Sequence, residues 1–310
     1  MTIKMATQPV VLLFSGQGNP VIGMGSNLWD LNATTKKIWD CVSDISGLDL
    51  RRLCLRGPMN RLIQTTVQQL AVTAINVTLY KLCQERLGHM QVMGSCGHSV
   101  GEYSALYAAG VMSLETLFRT IHFRANTMHE VSLQQKSAML ALKGVDNATL
   151  AAMIANAGIE LDISCDNTPR QQVVGGSQMA LNDFLKVLID QGHEYAKLGV
   201  SGAWHTSLMI GGVQPMRDFL ATQTFLTPTH EVLMNVTAQA ETEPACIKNN
   251  LSLHLTHTVK WADTMVHFLT APIDSVFLEI SNKQYLGHML NDFLGFTAER
   301  SLHCHKILKV

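Results

Sequence analysis

The sequence predicts an α/β protein built on a parallel sheet, with a smaller β-α-β-β-α-β unit inserted into it. Three stretches carry that prediction. Val10-Val11-Leu12-Leu13-Phe14 is apolar at every position and ends in Ser15-Gly16-Gln17-Gly18-Asn19-Pro20. A run with no polar alternation, closed by a glycine-rich turn, is the pattern of a central parallel strand covered on both faces. Gly97-His98-Ser99-Val100-Gly101 follows the apolar Val92-Met93 and precedes a helix-like run from Glu102 to Val111, which reads as strand, sharp turn and helix. Residues 132–199 then change character and alternate strand and helix patterns in the order of a ferredoxin-like split unit.

Between the first two stretches, helical patterns run from Asn27 to Ser46 and from Thr66 to Leu87. The second of these carries Leu70, Ala74, Val77 and Leu82 at helical spacing. The helix after Ser99 is rich in alanine (Ala105, Ala108, Ala109), which permits close packing, and it stops at Gly110. A further helix, Leu114 to Val131, carries Arg124 among Phe118, Ile121, Phe123 and Met128. Spacing favours a surface position for Arg124, the alternative being a cation held in a cleft.

Within the insert the expected elements are strands at Ala138–Lys143, Leu161–Cys165, Gln171–Val174 and His193–Leu198, with helices at Asn147–Ala157 and Met179–Gln191. The chain divides accordingly into a catalytic domain of residues 1–131 and 200–310 and a ferredoxin-like subdomain of residues 132–199. After the insert, a small-residue loop, Val200-Ser201-Gly202-Ala203-Trp204-His205-Thr206, leads into another helix. The remainder gives a strand at Glu231–Asn235, a polar loop, a helix at Val259–Leu269 and a strand at Val276–Ile280. A helical stretch then precedes a strand-like Lys306–Val310.

Composition bounds the chemistry. Of 310 residues 47% are apolar and 15% charged, enough for a large buried core, and the formal net charge of −1 comes with no basic block. A nucleic-acid footprint and a polybasic membrane patch are therefore not expected. No run of 18 apolar residues occurs, and Met1-Thr2-Ile3-Lys4-Met5 lacks the apolar core of a leader, so a cytoplasmic protein is expected. Seven scattered cysteines without a Cys-x-x-Cys pair, and thirteen histidines without ligand spacing, point to reduced thiols and no metal.

The turn at Ser99 is the pattern of a nucleophile elbow, where small flanking residues let the hydroxyl project and the first helix amides face whatever it attacks. A glycine-rich turn without chemistry would look the same over five residues. Gln17, between two glycines at the carboxyl end of a strand, is either part of the same cleft or an exposed turn residue. His205 lies where the chain re-enters the larger domain, so it can approach Ser99 as a general base; a lone loop histidine can equally be structural.

Four ordered segments carry a resemblance. Phe14-Ser15-Gly16-Gln17-Gly18, the run from Gly97 to Leu106, Phe123-Arg124-Ala125-Asn126-Thr127-Met128, and the run from Ser201 to Met209 resemble the motifs of malonyl-CoA:acyl carrier protein transacylases, from about residue 10 to 300. The resemblance implies an α/β-hydrolase-like large domain with a ferredoxin-like insert. It implies transfer of a malonyl group from a CoA thioester, through an ester on Ser99, to the phosphopantetheine thiol of an acyl carrier protein. His205 is then the base, the backbone amides of Gln17 and Val100 the oxyanion hole, and Arg124 the partner of the malonyl carboxylate, which reverses the surface reading. No bound cofactor and a monomer are expected. The family's glutamine, whose backbone carbonyl orients the histidine, is His254 here; a backbone role survives that change and a side-chain role is altered. Leu70 and Trp204 also depart from the pattern, and Glu279-Ile280-Ser281-Asn282 looks closer to acyltransferases of polyketide synthases than to the fatty-acid enzyme. The alternatives are a hydrolase that clears acyl groups from carrier proteins, a malonyl-loading subunit of a malonate decarboxylase, and a noncatalytic scaffold that docks a carrier protein.

Overall fold

A computed structural model of the chain describes residues 8–18, 20–271 and 274–309. The opening segment Met1–Met5, Asn19 of the loop after the first strand, and Val310 lie outside them. The first layer of the fold begins with β1 (Val10–Phe14), then α1 (Ala33–Ser46), α2 (Leu50–Arg56), α3 (Met59–Leu62), α4 (Thr65–Leu87), β2 (Val92–Gly97), α5 (Gly101–Ala108) and α6 (Leu114–Ser132). The insert follows as β3 (Ser137–Lys143), α7 (Asn147–Ala157), β4 (Asp162–Thr168), β5 (Gln171–Ser177), α8 (Gln178–Asp190) and β6 (Glu194–Lys197). The chain returns through a 3-10 turn (Ser207–Gly212) to α9 (Val213–Ala221), β7 (Glu231–Val232), α10 (Pro244–Leu253), β8 (Val259–Lys260) and α11 (Trp261–Thr270). It closes with β9 (Val276–Ile280), α12 (Leu286–Met289), β10 (Ser301–His303) and α13 (His305–Leu308).

The larger sheet has the order β10-β9-β1-β2-β7, with every pair parallel. β1 and β9 are buried at all five positions each, the reason their sequences show no alternation. Strand order reverses at β1, so the loops leaving β1 and β2 lie side by side at the carboxyl edge, where open α/β sheets form their crevice. α4 lies against α1, α5 and α6 and is buried around its circumference from Val67 to Tyr80. Its buried Gln68, Gln69, Thr73, Asn76 and Thr78 set up a polar interior that must be satisfied by partners.

The smaller sheet places β6, β3, β5 and β4 antiparallel in the order of a ferredoxin-like unit, over a separate core that includes Leu140, Val174, Leu181 and Phe184. Its fifth strand is β8, contributed by the larger part of the chain and paired parallel with β4 through Cys165 and Val259.

Several element limits differ from the sequence reading. The first helix starts at Ala33 rather than Asn27, because Asn32 and Thr35 form a reciprocal capping box there, with Asn32 Oδ1 accepting the Thr35 amide at 2.9 Å. The strand expected at Glu231–Asn235 ends at Val232, since Asn235 turns away toward Ser99. The polar loop after it contains α10, whose Pro244 in the first turn is a helix-start signal the reading passed over. Lys306–Val310 was expected as a strand; the edge strand is Ser301–His303, and His305–Leu308 is a helical turn.

Candidate active site

The elbow is held by contacts that leave no room for side chains. A Cβ on Gly97 would lie 2.0 Å from the Gly101 carbonyl carbon, and one on Gly101 would lie 2.2 Å from the Phe14 oxygen. Ser99 itself takes φ 52°, a left-handed backbone that an L-residue holds only when its surroundings impose it. What imposes it is Asn235. Its Oδ1 accepts the Ser99 amide at 2.8 Å, and its Nδ2 donates to the Gly97 carbonyl at 2.7 Å. The backbone N–H of Asn235 donates in turn to Oε1 of the buried Glu102. Sequence reasoning gave Asn235 no role, and a contact across 136 positions leaves no local signal.

Ser99 Oγ lies 2.8 Å from Nε2 of His205. Nδ1 of His205 lies 2.7 Å from the backbone oxygen of His254, which fixes the tautomer: Nδ1 carries the proton and Nε2 accepts from the serine. His205 also sits at positive φ, 60°, and is buried. Burial, then the neighbouring His254 and Arg124, hold it well below the usual histidine range, so the ring is a neutral base at neutral pH.

The His205 loop is anchored to the insert. Ser137 Oγ accepts the Ala203 amide at 3.0 Å, and Asp162 Oδ2 accepts both the amide and the hydroxyl of Ser207, at 2.8 and 2.7 Å. On the elbow side, His98 Nε2 reaches Asn167 of β4 at 2.8 Å and packs edge-on against Trp261. Serine comes from the large sheet and histidine from the junction with the small one.

The GQG loop abuts the elbow, for a Cβ on Gly16 would stand 3.4 Å from Ser99 Cβ and 2.5 Å from the His98 oxygen. Asn76 holds this loop from below by donating to the Ser15 carbonyl at 2.9 Å. Among the described residues the backbone amides of Gln17 and Val100 donate no hydrogen bond.

Arg124 is fully buried, contrary to the surface position that spacing favoured. Helical spacing ranks faces of α6 but cannot tell that α4 and α5 cover this one. The guanidinium lies 5.5 Å from the Tyr103 ring, and its Nη1 donates to Gln69 Oε1 at 2.5 Å. Gln69 Nε2 donates to Thr65 Oγ1 at 2.7 Å, and Thr65 Oγ1 donates to Gln17 Oε1 at 3.0 Å. A polar chain therefore runs from the cation to the GQG loop. Nε and Nη2, which form the other edge of the fork, have no hydrogen-bond partner among the described residues. Burial pulls Arg124 below the usual guanidinium range, and Tyr103 and Glu102 oppose that pull. An unpaired, desolvated fork is costly to maintain and is suited to a planar anion with two oxygens.

One His/Cys group among the described residues has ligand atoms close together, His303, Cys304 and His305 at the edge of the large sheet. Its members are committed locally: Cys304 Sγ–H donates to the Ser281 carbonyl at 3.4 Å, and His303 Nε2 lies 3.1 Å from Ser281 Oγ.

A parallel α/β layer carrying a serine elbow, a neutral histidine on its hydroxyl and a buried open guanidinium defines the class of serine-dependent acyl-transfer proteins. Residues 11–298 match the family described as acyl transferase domain. The chain is 30% identical over 271 residues to the malonyl CoA-acyl carrier protein transacylase of Escherichia coli strain K12, covering 86% of each chain. Its fold superposes with a TM-score of 0.90 on the structure of the transacylase from Coxiella burnetii, at 26% identity over 97% of this chain and 96% of that one. It superposes at 0.87 and 25% identity on a malonyl-transacylase solved in complex with a type II polyketide synthase acyl-carrier protein, over 96% of this chain and 95% of that one. This chain belongs to the malonyl-CoA:acyl carrier protein transacylase family.

Proposed function

We propose that the protein transfers a malonyl group from CoA to the phosphopantetheine thiol of an acyl carrier protein, in fatty-acid or polyketide biosynthesis. The observation that carries this reading is the half-engaged fork of Arg124, buried close enough to His205 to lower its proton affinity and with Nε and Nη2 lacking an aligned partner among the described residues. In the first half-reaction Ser99 Oγ attacks the thioester carbonyl while its proton passes to His205 Nε2. The amides of Gln17 and Val100 receive the oxyanion. Its collapse breaks the C–S bond, and the CoA sulfur leaves with the proton from His205. The carrier thiol then gives its proton to His205 and attacks the seryl ester; the acyl C–Oγ bond breaks and Ser99 Oγ takes the proton back from His205 Nε2. Arg124 holds the free malonyl carboxylate through both half-reactions and so selects a dicarboxylic half-thioester over a neutral acyl chain.

These steps need no bound cofactor, and the single chain supplies every group named, consistent with action as a monomer. Among the described residues no helix is long and apolar enough to cross a membrane, which is compatible with a cytoplasmic place of action. The test is to mix the protein with malonyl-CoA and a phosphopantetheinylated carrier protein and follow both chains by intact mass. A malonyl adduct on the transferase, absent in Ser99→Ala, and malonylated carrier protein are the expected products. Free malonate as the main product of the unaltered protein would overturn transfer in favour of hydrolysis.

A further inference from the structure

A serine–histidine pair commonly has a carboxylate on the far side of the imidazole, but Nδ1 of His205 meets only the backbone oxygen of His254. A carboxylate nevertheless stands one ring further away. Glu102, in the first turn of α5, and His254, at the end of α10, are both fully buried, with Glu102 Oε2 2.9 Å from His254 Nδ1. Among the described residues neither that oxygen nor either ring nitrogen of His254 has an aligned hydrogen-bond partner. An oxygen and a nitrogen 2.9 Å apart are within reach of one shared proton once the two groups align. The His254 ring lies 4.6 Å from the His205 ring at an interplanar angle of 31°. His254 therefore touches the base twice, with its carbonyl on Nδ1 and its ring against the face.

We propose that Glu102 and His254 are positioning residues that act on His205 as one unit: the carboxylate fixes the His254 ring, and with it the carbonyl that orients His205, and places a negative charge near the imidazolium that forms during acylation. The proposal rests on the reading of His205 as the base for Ser99. It answers an electrostatic problem of this pocket. Arg124 is a buried cation already, and an imidazolium at His205 adds a second positive charge in the same water-poor space, with only a carbonyl dipole on its Nδ1. The remaining groups facing the couple are Tyr103 from α5, Cys96 from β2, His98 from the elbow and His257 from the loop after α10. None of the four offers a carboxylate. Burial pushes Glu102 up to about 8, against the Asn235 amide and Arg124, which favour its ionised form. Its charge thus appears as pH rises through that value, and the help it gives His205 should appear over the same range.

The test uses the full chain and the burst of 4-nitrophenol released when 4-nitrophenyl acetate acylates Ser99, measured from pH 6 to pH 9. That probe reports the serine and its base whatever the natural acyl donor. Glu102→Gln keeps an oxygen for the Asn235 amide and removes the charge. It is expected to acylate about tenfold more slowly above pH 8 and to lose the step in rate near pH 8, a change that loss of packing alone would not produce. His254→Gln keeps an N–H for Glu102, whereas His254→Leu keeps only the backbone carbonyl, so the leucine variant should be slower than the glutamine variant by roughly fivefold or more. A Glu102→Gln enzyme with the rate and pH profile of the parent overturns the proposal. So do equal rates in the two His254 variants, and that comparison decides alone if Glu102→Gln does not fold. A parent protein that reacts with the ester but takes no malonyl from CoA would refute the transfer reading and leave this one standing.

Discussion

In the proposed reaction Arg124 carries the selection in one side chain, because Nη1 is engaged by Gln69 while Nε and Nη2 are buried with no aligned partner among the described residues. Arg124→Ala is expected to lose malonyl loading while acetyl loading holds or rises. The shift in preference should be about ten- to a hundredfold, the equivalent of the 1.5–3 kcal/mol of a charge-assisted hydrogen bond. Initial rates of carrier-protein loading with the two CoA esters measure it, and equal losses on both would contradict the assignment. His205→Ala should slow acylation by about two to four powers of ten with an unchanged melting temperature, followed by single-turnover mass spectrometry. The residue scale is also where the sequence was least even. Ser99, His205 and Arg124 stood out once the four motifs were taken together, and at 254 the backbone oxygen meets His205 Nδ1. Asn235 and Glu102 did not stand out as positioning groups, since their task is defined by partners more than a hundred residues away.

The elements that could be read were those whose environment is uniform along their length. β1 and β9, covered on both faces, and α7 and α8, each capped by a side chain at its start, matched their expected positions to within a residue. The elements that could not be read are short and are shaped by neighbours, as with β8, two residues long and defined only by its pairing with β4. A test at this scale lies in β5. A Cβ on Gly175 would stand 2.7 Å from Ser164 Oγ and 2.8 Å from Thr206 Cγ2, so this strand is smooth where the His205 loop rests on it. Gly175→Val should displace Ala203 and Thr206 and lower the acylation rate at least tenfold while substrate affinity changes less. The separation of kcat from KM is the measurement.

Across the whole molecule, buried titratable groups set how stability depends on pH. His98, His122, His205, His230, His254, His303 and His305 are all held below the usual histidine range, first by burial, with His230 and His303 lowered to about 4. The unfolded chain binds protons at these sites before the folded one does, so their contribution is complete above about pH 6.5 and is lost as pH falls toward 4. Glu102, Asp166 and Glu279 are raised by burial and act in the opposite sense, losing stability as pH rises, for Glu102 through about 8. The melting temperature is expected to peak near neutrality and to fall steadily on acidification, by calorimetry across pH 4–9. A flat profile below pH 6.5 would show that these histidines are not held neutral.

The fifth strand of the small sheet has a consequence for how such chains can be recombined. Because β8 belongs to the segment that returns to the large layer, the insert does not own the edge that covers β4. Exchanging residues 137–197 between two relatives would separate β4 from the strand it was matched to and offer an unpaired edge to any passing chain. It would also detach Ser137 and Asp162 from the loop that carries His205. A functional graft would have to run through residue 260, taking the histidine and the orienting carbonyl of His254 with the insert. Natural recombination in this architecture would therefore move the base and its support together, leaving the serine elbow and Arg124 behind as the fixed half of the site.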